Sequence, residues 1–241
     1  MTLSLKHLFR KKPLVLCVHG FGRRREREFD NFKLWGKKDY EFVSFNIFDD
    51  KNMQDVDAQE WVSRCEQQIE LLLKQNRDIS VLGFSMGGVL ASHLASKYPI
   101  KRLILFAPAF EYMSIKNVYS AFINLMSSKH GDISSLNNKQ TLAFSQVVDT
   151  CKASIQNVQC PVLFLHGDRD DVIPLRSSLN AYAKVPHQNK RLVILHEGVH
   201  RLMLYKKSSN ETYQLFDLFM KEKIVTYAPP LASEPEERVN T

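Results

Sequence analysis

Residues 79–99 read ISVLGFSMGGVLASHLASKYP, and this stretch decides the fold. The apolar run Ile79–Leu82 favours a buried β-strand. The segment Val89–Tyr98 has the apolar spacing of a helix and is closed by a proline. Between them, residues 83–87 (GFSMG) match the pattern G-x-S-x-G. The sequence therefore predicts a sharp strand-to-helix turn with Ser85 at its tip.

The chemistry of such a turn explains the two glycines of the motif. A serine at the tip takes a strained backbone conformation, and side chains two residues before and after it would collide. Gly83 and Gly87 remove both obstructions. The helix N-terminus behind Ser85 supplies N–H groups and a positive dipole end that stabilise a developing oxyanion. An ordinary glycine-rich turn with a capping serine is the alternative, but the coincidence of strand, motif and helix favours a nucleophile.

The rest of the chain alternates between apolar strands and amphipathic helices. Five further runs have the composition of buried strands: Leu14–Val18, Phe42–Ile47, Arg102–Phe106, Val162–His166 and Leu192–Leu195. Helices are predicted over Leu175–Lys184 and Ser209–Lys221, and another begins at the capping box Asp57–Glu60. This pattern predicts an α/β fold with a mainly parallel, doubly wound sheet. Functional groups in such sheets gather at the carboxyl ends of the strands.

One long stretch interrupts the alternation. Residues 108–155 have no strand signal but contain two segments with helical spacing, which predicts a small helical cap inserted after the fourth strand. We predict one domain over residues 1–225. The Pro- and Glu-rich tail, residues 226–241, has little to bury and is expected to be disordered.

Composition excludes several classes of protein. With 241 residues and 44% hydrophobic content, the chain can bury one substantial core. It has no apolar run of membrane-spanning length and no signal-peptide pattern at the N-terminus, so we expect no integral membrane association and no export. The four cysteines form no C-x-x-C pair, which favours reduced thiols in a cytoplasmic protein.

The positive charge is concentrated near one end of the chain. Residues 1–40 contain 11 Lys or Arg and 4 Asp or Glu, whereas residues 41–241 contain 22 of each sign. No basic face with interleaved aromatic residues and no nucleic-acid-binding motif is visible, so no nucleic-acid partner is predicted. The localised charge indicates a solvated surface or the steering of an anionic molecule.

Taken together, the motifs resemble those of the α/β-hydrolase family, in particular its carboxylesterase and monoacylglycerol-lipase-like branch. The resemblance rests on LCVHGFG at Leu16–Gly22, GFSMGG at Gly83–Gly88, CPVLFLHGDRDDVIP at Cys160–Pro174 and HEGVH at His196–His200. It covers nearly the whole chain. It implies a catalytic triad in the order Ser, Asp or Glu, then His, which this sequence contains.

The HEGVH string also reads as the zinc signature H-E-x-x-H, which needs a helix to bring both imidazoles to one metal. The preceding run Arg191–Leu195 is strand-like, and Gly198 is unfavourable inside a helix. We therefore expect a loop. The resemblance implies that this loop carries the general base for Ser85, and His200 fits the family position better than His196, which remains the alternative.

Three aspartates, Asp168, Asp170 and Asp171, follow the predicted fifth strand. The family spacing H-G-x-x-D selects Asp170, which also stands four residues before Pro174. The resemblance implies that Asp170 orients His200 and offsets its transient charge. The other two carboxylates are expected to be solvated or turn-forming.

The resemblance also implies which groups surround the reacting serine. The backbone N–H groups of Phe21 and Met86 are the expected oxyanion donors, and His19 is expected to make a structural hydrogen bond. Candidate substrate-binding side chains are Arg23, Arg24 and Arg25 after the first strand, and Tyr119 and Phe122 in the cap. The other interpretation is a solvated loop in which Glu26 and Glu28 balance the arginines, because charge runs are usually solvated.

These observations predict a serine hydrolase that cleaves carboxylic esters of small to medium acyl groups through an acyl-enzyme, without cofactor or metal. A thioesterase, a lysophospholipase, or an amide or C–C hydrolase on the same fold is the alternative. A non-catalytic basic interaction module is the alternative of another class. The predicted partner is a small-molecule ester, and the sequence leaves the oligomeric state open.

Overall fold

The computed structural model describes residues 11–22, 25–49, 52, 54–112 and 138–224. Its six strands form one sheet in which every neighbouring pair is parallel. The strands are β1 (Leu14–Val18), β2 (Glu41–Ser44), β3 (Ile79–Phe84), β4 (Arg102–Phe106), β5 (Val162–Gly167) and β6 (Lys190–Leu195). Their order across the sheet is β2-β1-β3-β4-β5-β6. The predicted parallel, doubly wound sheet is confirmed.

Helices cover both faces of this sheet. They are α1 (Asp30–Gly36), α2 (Ala58–Leu73), α3 (Met86–Lys97), α4 (Asn138–Cys151), α5 (Arg176–Lys184) and α6 (Ser209–Met220), with 3₁₀ helices at Arg25–Phe29 and Lys152–Asn157. None of the helices in these described ranges is long and apolar enough to cross a membrane.

Strand β1 explains the two-layer packing, because successive side chains of a strand point to opposite faces. Leu14, Leu16 and Val18 join a core with α2 to α5, whereas Val15 and Cys17 join a second core with α1 and α6. All five side chains are buried. Strand β1 lies between β2 and β3, so the connections that follow β1 and β3 run to opposite sides of the sheet. A crevice therefore opens at the carboxyl ends of these two strands.

Most predicted element bounds lie within two residues of the observed ones, with three exceptions. The strand predicted over Phe42–Ile47 ends at Ser44, because Ile47 donates its backbone N–H to His19 instead of to a neighbouring strand. The helix predicted from Val89 begins at Met86, since residues 86–88 are buried on all sides and show no amphipathic spacing.

The third exception is the arginine-rich segment, for which a solvated loop was one interpretation. It forms the 3₁₀ helix Arg25–Phe29 and then α1, and Phe29 and Phe32 are fully buried. The alternating charges before Phe29 concealed this helical turn in the sequence.

The predicted limits of the domain and cap remain predictions: α4 lies within residues 108–155, but residues 113–137 and the tail, residues 226–241, lie outside the described residues.

The predicted capping box at the start of α2 is half formed. The carboxylate of Asp57 accepts hydrogen bonds from the backbone N–H groups of Gln59 and Glu60, at 2.8 and 3.2 Å. In a full capping box the Glu60 side chain would return to the backbone of Asp57. It pairs with Arg64 instead, at 3.0 Å, because residues four apart on a helix lie on one face.

Replacing Asp57 by Ala should therefore lower the free energy of unfolding by about 1 kcal/mol, since two N–H groups lose their acceptor. Asp57→Ser should retain most of the stability, because a hydroxyl also caps a helix. Urea unfolding of the two variants and the wild type measures the difference. Equal losses for Ala and Ser would show that capping is not the source of the effect.

Candidate active site

Ser85 lies in a strained turn between β3 and α3, with φ 54° and ψ −120°. A Cβ at position 83 would lie 2.4 Å from the carbonyl oxygen of Gly87, and a Cβ at position 87 would lie 2.1 Å from that of Val18. Both distances are far below van der Waals contact, so glycine is required at each position. The backbone N–H of Ser85 donates to Phe106 in β4 at 3.0 Å. The turn is thus fixed by both neighbouring strands.

The structure brings the three predicted triad residues into one hydrogen-bonded line. His200 Nε2 lies 3.2 Å from the Oγ of Ser85, and His200 Nδ1 lies 2.8 Å from Asp170 Oδ2. All three side chains are buried. With a proton on Nδ1 bonded to the carboxylate, Nε2 is the basic nitrogen that faces the serine hydroxyl. This is the arrangement that general-base activation of a serine requires.

Close contact between two loops sets the distance from Asp170 to His200. A Cβ at Gly167, the last residue of β5, would lie 2.1 Å from the carbonyl oxygen of Gly198. That oxygen accepts a hydrogen bond from the backbone N–H of Arg169 at 2.9 Å. The loop after β5 and the loop after β6 therefore touch through their backbones, because neither glycine carries a side chain.

The carboxylate of Asp170 is fully bonded although it is buried. Its Oδ1 accepts from the backbone N–H groups of Val172 and Ile173, at 2.9 and 2.8 Å. Its Oδ2 lies 2.8 Å from His200 Nδ1 and 3.3 Å from His166 Nε2. Burial raises the pKa of this carboxyl, but the two imidazoles outweigh burial and hold the pKa well below its usual range.

His166 is a second imidazole beside Asp170. In the sequence it is marked only as the last residue of a predicted strand. It is fully buried, its Nδ1 lies 2.7 Å from the hydroxyl of Ser178, and its Nε2 lies 3.0 Å from the carbonyl oxygen of Ile173. The signal that marks it is its place directly before the glycine of the H-G-x-x-D pattern. His166 lies beside the same carboxylate oxygen of Asp170 as His200 does.

The competing histidine lies elsewhere. The side chain of His196 is 85% exposed and its Nδ1 lies 2.8 Å from Asp168. The residues after β6 form a turn rather than a helix, with a positive φ of 55° at Glu197. The two histidines of the H-E-x-x-H string therefore face different carboxylates, and the structure places His200 rather than His196 beside Ser85.

The two predicted oxyanion donors come from segments that border Ser85. Met86 is the first residue of α3, where backbone N–H groups have no partner within the helix. A Cβ at Gly20 would lie 3.1 Å from the Cβ of Ser85, so the loop that carries Phe21 lies against the serine. His19 Nε2 accepts from the backbone N–H of Ile47 at 3.0 Å, which is the structural bond expected for it.

The predicted substrate-binding residues are not placed by the structure. Arg23, Arg24, Tyr119 and Phe122 lie outside the described residues, and only the backbone of Arg25 is described, at the start of a 3₁₀ helix. Their contact with substrate remains a prediction.

Glu28 is a buried acid, so the interpretation in which it lies solvated among the arginines is wrong for this residue. Its side chain is 2% exposed. One carboxylate oxygen accepts from the backbone N–H of Gly20 at 3.2 Å, and the other lies 3.9 Å from the guanidinium of Arg201. Glu28 thus connects the loop before Phe21 with the residue that follows His200. The buried Phe29 directly after it is the sequence signal for this burial.

Comparisons with known proteins show a family and a fold. The sequence model of the family described as "serine aminopeptidase, S33" matches residues 10–145 and 133–206. The serine hydrolase BPHL of Mus musculus is 27% identical over 168 residues, which is 61% of this chain and 56% of that protein. The match therefore spans little more than half of the mouse protein's length.

Two solved structures are similar in fold. A soluble variant of the monoglyceride lipase of Saccharomyces cerevisiae has a TM-score of 0.70 and 17% identity, covering 88% of this chain and 86% of that chain. The esterase Est1E of Butyrivibrio proteoclasticus has a TM-score of 0.65 and 19% identity, covering 88% of each chain.

The lowered pKa of Asp170 predicts a pH-dependent contribution to stability. Folding lowers this pKa, so the contribution is complete above the usual pKa of about 3.9 and is lost as the pH falls below it. The difference in unfolding free energy between the wild type and Asp170→Asn should be constant near neutral pH and shrink in acid. Urea unfolding from pH 7 to pH 3 measures it.

Asp168→Asn is the matched control for this series. The pair of Asp168 with His196 is exposed, and exposed pairs contribute little. This variant should therefore differ little from the wild type at any pH. A difference for Asp170→Asn that does not vary with pH would contradict the assignment.

The contact between Glu28 and Gly20 predicts that a substitution at Glu28 lowers turnover without weakening substrate binding. Glu28→Ala removes the acceptor of Gly20 N–H and should let the loop of Phe21 shift, lowering kcat for a nitrophenyl ester about 100-fold at a similar KM. Glu28→Gln keeps an acceptor oxygen and should retain most of the activity. If both variants lose activity equally, or if only KM changes, Glu28 does not position this loop.

Proposed function

The chain belongs to the serine aminopeptidase S33 family of α/β-hydrolases, and we propose that it hydrolyses carboxylic esters at Ser85. The observation that carries the proposal is the line from the Ser85 hydroxyl through both ring nitrogens of His200 to Asp170, at 3.2 and 2.8 Å. These distances lie at the length of hydrogen bonds, so His200 can take the Ser85 proton without rearrangement while Asp170 holds its ring in place.

The proposed reaction has two half-reactions. Ser85 Oγ attacks the ester carbonyl while His200 Nε2 takes the hydroxyl proton, and the N–H groups of Phe21 and Met86 hold the oxyanion. The intermediate collapses when His200 returns the proton to the leaving alcohol, which leaves an acyl group on Ser85. Water then attacks the acyl carbonyl while His200 takes its proton, and the second intermediate collapses when His200 returns this proton to the Ser85 Oγ, which releases the acid and restores the serine. Asp170 stays ionised and offsets the positive charge of His200 at both steps.

Aromatic side chains beside the oxyanion loop support an apolar acyl group. The ring of Phe21 lies 5.6 Å from that of Phe48 and 5.4 Å from that of Phe144 in α4. Phe144 belongs to the predicted cap, so the described part of this segment packs on the loop that would hold the oxyanion. Small to medium acyl groups are the proposed substrates. The arginines after Gly22 would favour an ester that carries an additional negative charge.

Other hydrolytic reactions and a non-catalytic role are the alternatives to ester hydrolysis at this site. Thioesters, lysophospholipids, amides and C–C bonds could use the same proton path, because chemistry is determined by the site and not by the fold. A non-catalytic interaction module would have no use for a buried, hydrogen-bonded Ser-His-Asp line, and this favours the enzyme. Four free cysteines fit a reducing compartment, and we propose the cytoplasm on that ground.

Covalent labelling and single substitutions test the proposal. Ser85→Ala should abolish both fluorophosphonate labelling and ester turnover. His200→Ala should lower kcat by about four to six orders of magnitude. His196→Ala is the matched control: it removes an exposed imidazole four residues away and should leave kcat nearly unchanged.

Nitrophenyl esters of increasing chain length provide the readout and define the preferred acyl group. Labelling that survives Ser85→Ala would place the nucleophile elsewhere. Equal losses for the two histidine variants would contradict the assigned base.

A further inference from the structure

A second feature lies at the opposite edge of the sheet from Ser85. A cleft of about 670 Å³ opens where β1, β2 and β3 begin. Its cationic lining side chains are Lys11, Lys12, Lys33, Lys37 and Arg77. We call this feature the basic cleft. Five residues of parallel strand span about 16 Å, so β1 separates the cleft from the catalytic edge.

The positive charge of the basic cleft is poorly compensated. Glu41 is the acidic side chain of its lining, and it is already paired with Arg77 at 2.7 Å. Lys12 donates to the backbone carbonyl of Lys37 at 2.6 Å, and because a carbonyl carries no formal charge, the charge of Lys12 is not neutralised. Within the described part of the chain, none of the four lysines forms an ion pair. Such a concentration of one sign of charge attracts anions.

Arg77 supports this conclusion from inside the cleft. Its side chain is only 10% exposed, yet its Nε has no hydrogen-bond acceptor among the described residues. Buried guanidinium groups are normally satisfied, so Arg77 is held at the cleft with a positive charge that its surroundings only partly compensate. The sequence shows the same bias, since the net charge of +7 resides entirely in residues 1–40.

Exposed apolar side chains stand on α1, the helix that carries Lys33 and has Lys37 as its C-cap. Between Lys33 and Lys37 stand Leu34, which is 59% exposed, and Trp35, which is 38% exposed. The Trp35 ring touches Tyr213 of α6 at a centroid distance of 5.4 Å, which fixes its orientation. Exposed apolar residues flanked by lysines are typical of surfaces that lie in the headgroup region of a membrane, where tryptophan is favoured.

We propose that this surface docks on a membrane rich in anionic phospholipid. Headgroup phosphates would enter the basic cleft, and Leu34 and Trp35 would enter the interface. A lipid headgroup is favoured over free phosphate because α1, which lines the cleft, also carries exposed apolar residues, and because the cleft volume far exceeds that of one phosphate ion. Docking by this edge leaves Ser85 facing away from the membrane. The proposal is therefore independent of the chemistry at Ser85.

Vesicle sedimentation tests the proposal with the full chain. The wild type should sediment with phosphatidylglycerol vesicles and not with phosphatidylcholine vesicles, and less so as salt rises to physiological strength. Lys33→Gln with Lys37→Gln should lower the partition coefficient about 25-fold, since each lysine near an anionic surface contributes about 1 kcal/mol, or about fivefold. Leu34→Ser with Trp35→Ser should weaken binding at every salt concentration.

A charge-matched control separates this surface from net charge. Lys152→Gln with Lys206→Gln removes the same charge from other surfaces and should bind as the wild type does. An equal loss in the control, or equal sedimentation with phosphatidylcholine, overturns the proposal. Thermal stabilisation by millimolar inorganic phosphate at constant ionic strength, without sedimentation with phosphatidylglycerol vesicles, also overturns it, in favour of a free-phosphate site. Turnover of a soluble nitrophenyl ester should be unchanged in every variant, so a failure of docking is distinguishable from a failure of the proposed esterase.

Discussion

The backbone of Ser85 is held in a conformation that it would not adopt alone. A non-glycine residue at a positive φ of 54° costs on the order of 1–3 kcal/mol and persists only where the surroundings over-determine it. Here the carbonyl of Ser85 accepts from both Gly88 and Ala109, and its N–H donates to Phe106. The turn also requires β1 to pass directly against Gly87. The parallel sheet is therefore a condition for the position of the serine oxygen.

The same sheet brings Asp170 and His200 to that oxygen without long flexible connections. Asp170 and His200 follow neighbouring strands, and the contact between Gly167 and Gly198 joins their loops. Isolated charges are expensive to bury, but the Asp170 carboxylate receives hydrogen bonds on both oxygens. Rigid elements and full hydrogen bonding give the site a fixed geometry before any substrate binds.

The sequence was informative wherever function depends on local pattern. The Ser85 turn needs glycines at fixed offsets, and the H-G-x-x-D spacing distinguished Asp170 from Asp168. The sequence was uninformative where a role depends on distant packing. Glu28 stands in a run of alternating charges, which suggests a solvated residue. Its partners are Arg201, which is remote along the chain, and Gly20, which belongs to the motif after the first strand. His166 likewise ends an ordinary apolar strand, and only the fold turns it toward Asp170.

Charged side chains are buried and paired at the carboxyl edge of the sheet, whereas most of those at its amino edge are solvated and unpaired among the described residues. At the carboxyl edge, Asp170 and Glu28 are buried and have several partners each, because an unpaired buried charge would unfold the site. At the amino edge, four lysines share a cleft whose one described carboxylate is already paired with Arg77. Their mutual repulsion lowers stability and is tolerated only because they are solvated. A charge cluster that folding leaves uncompensated is therefore better explained by an external anion than by the stability of the fold.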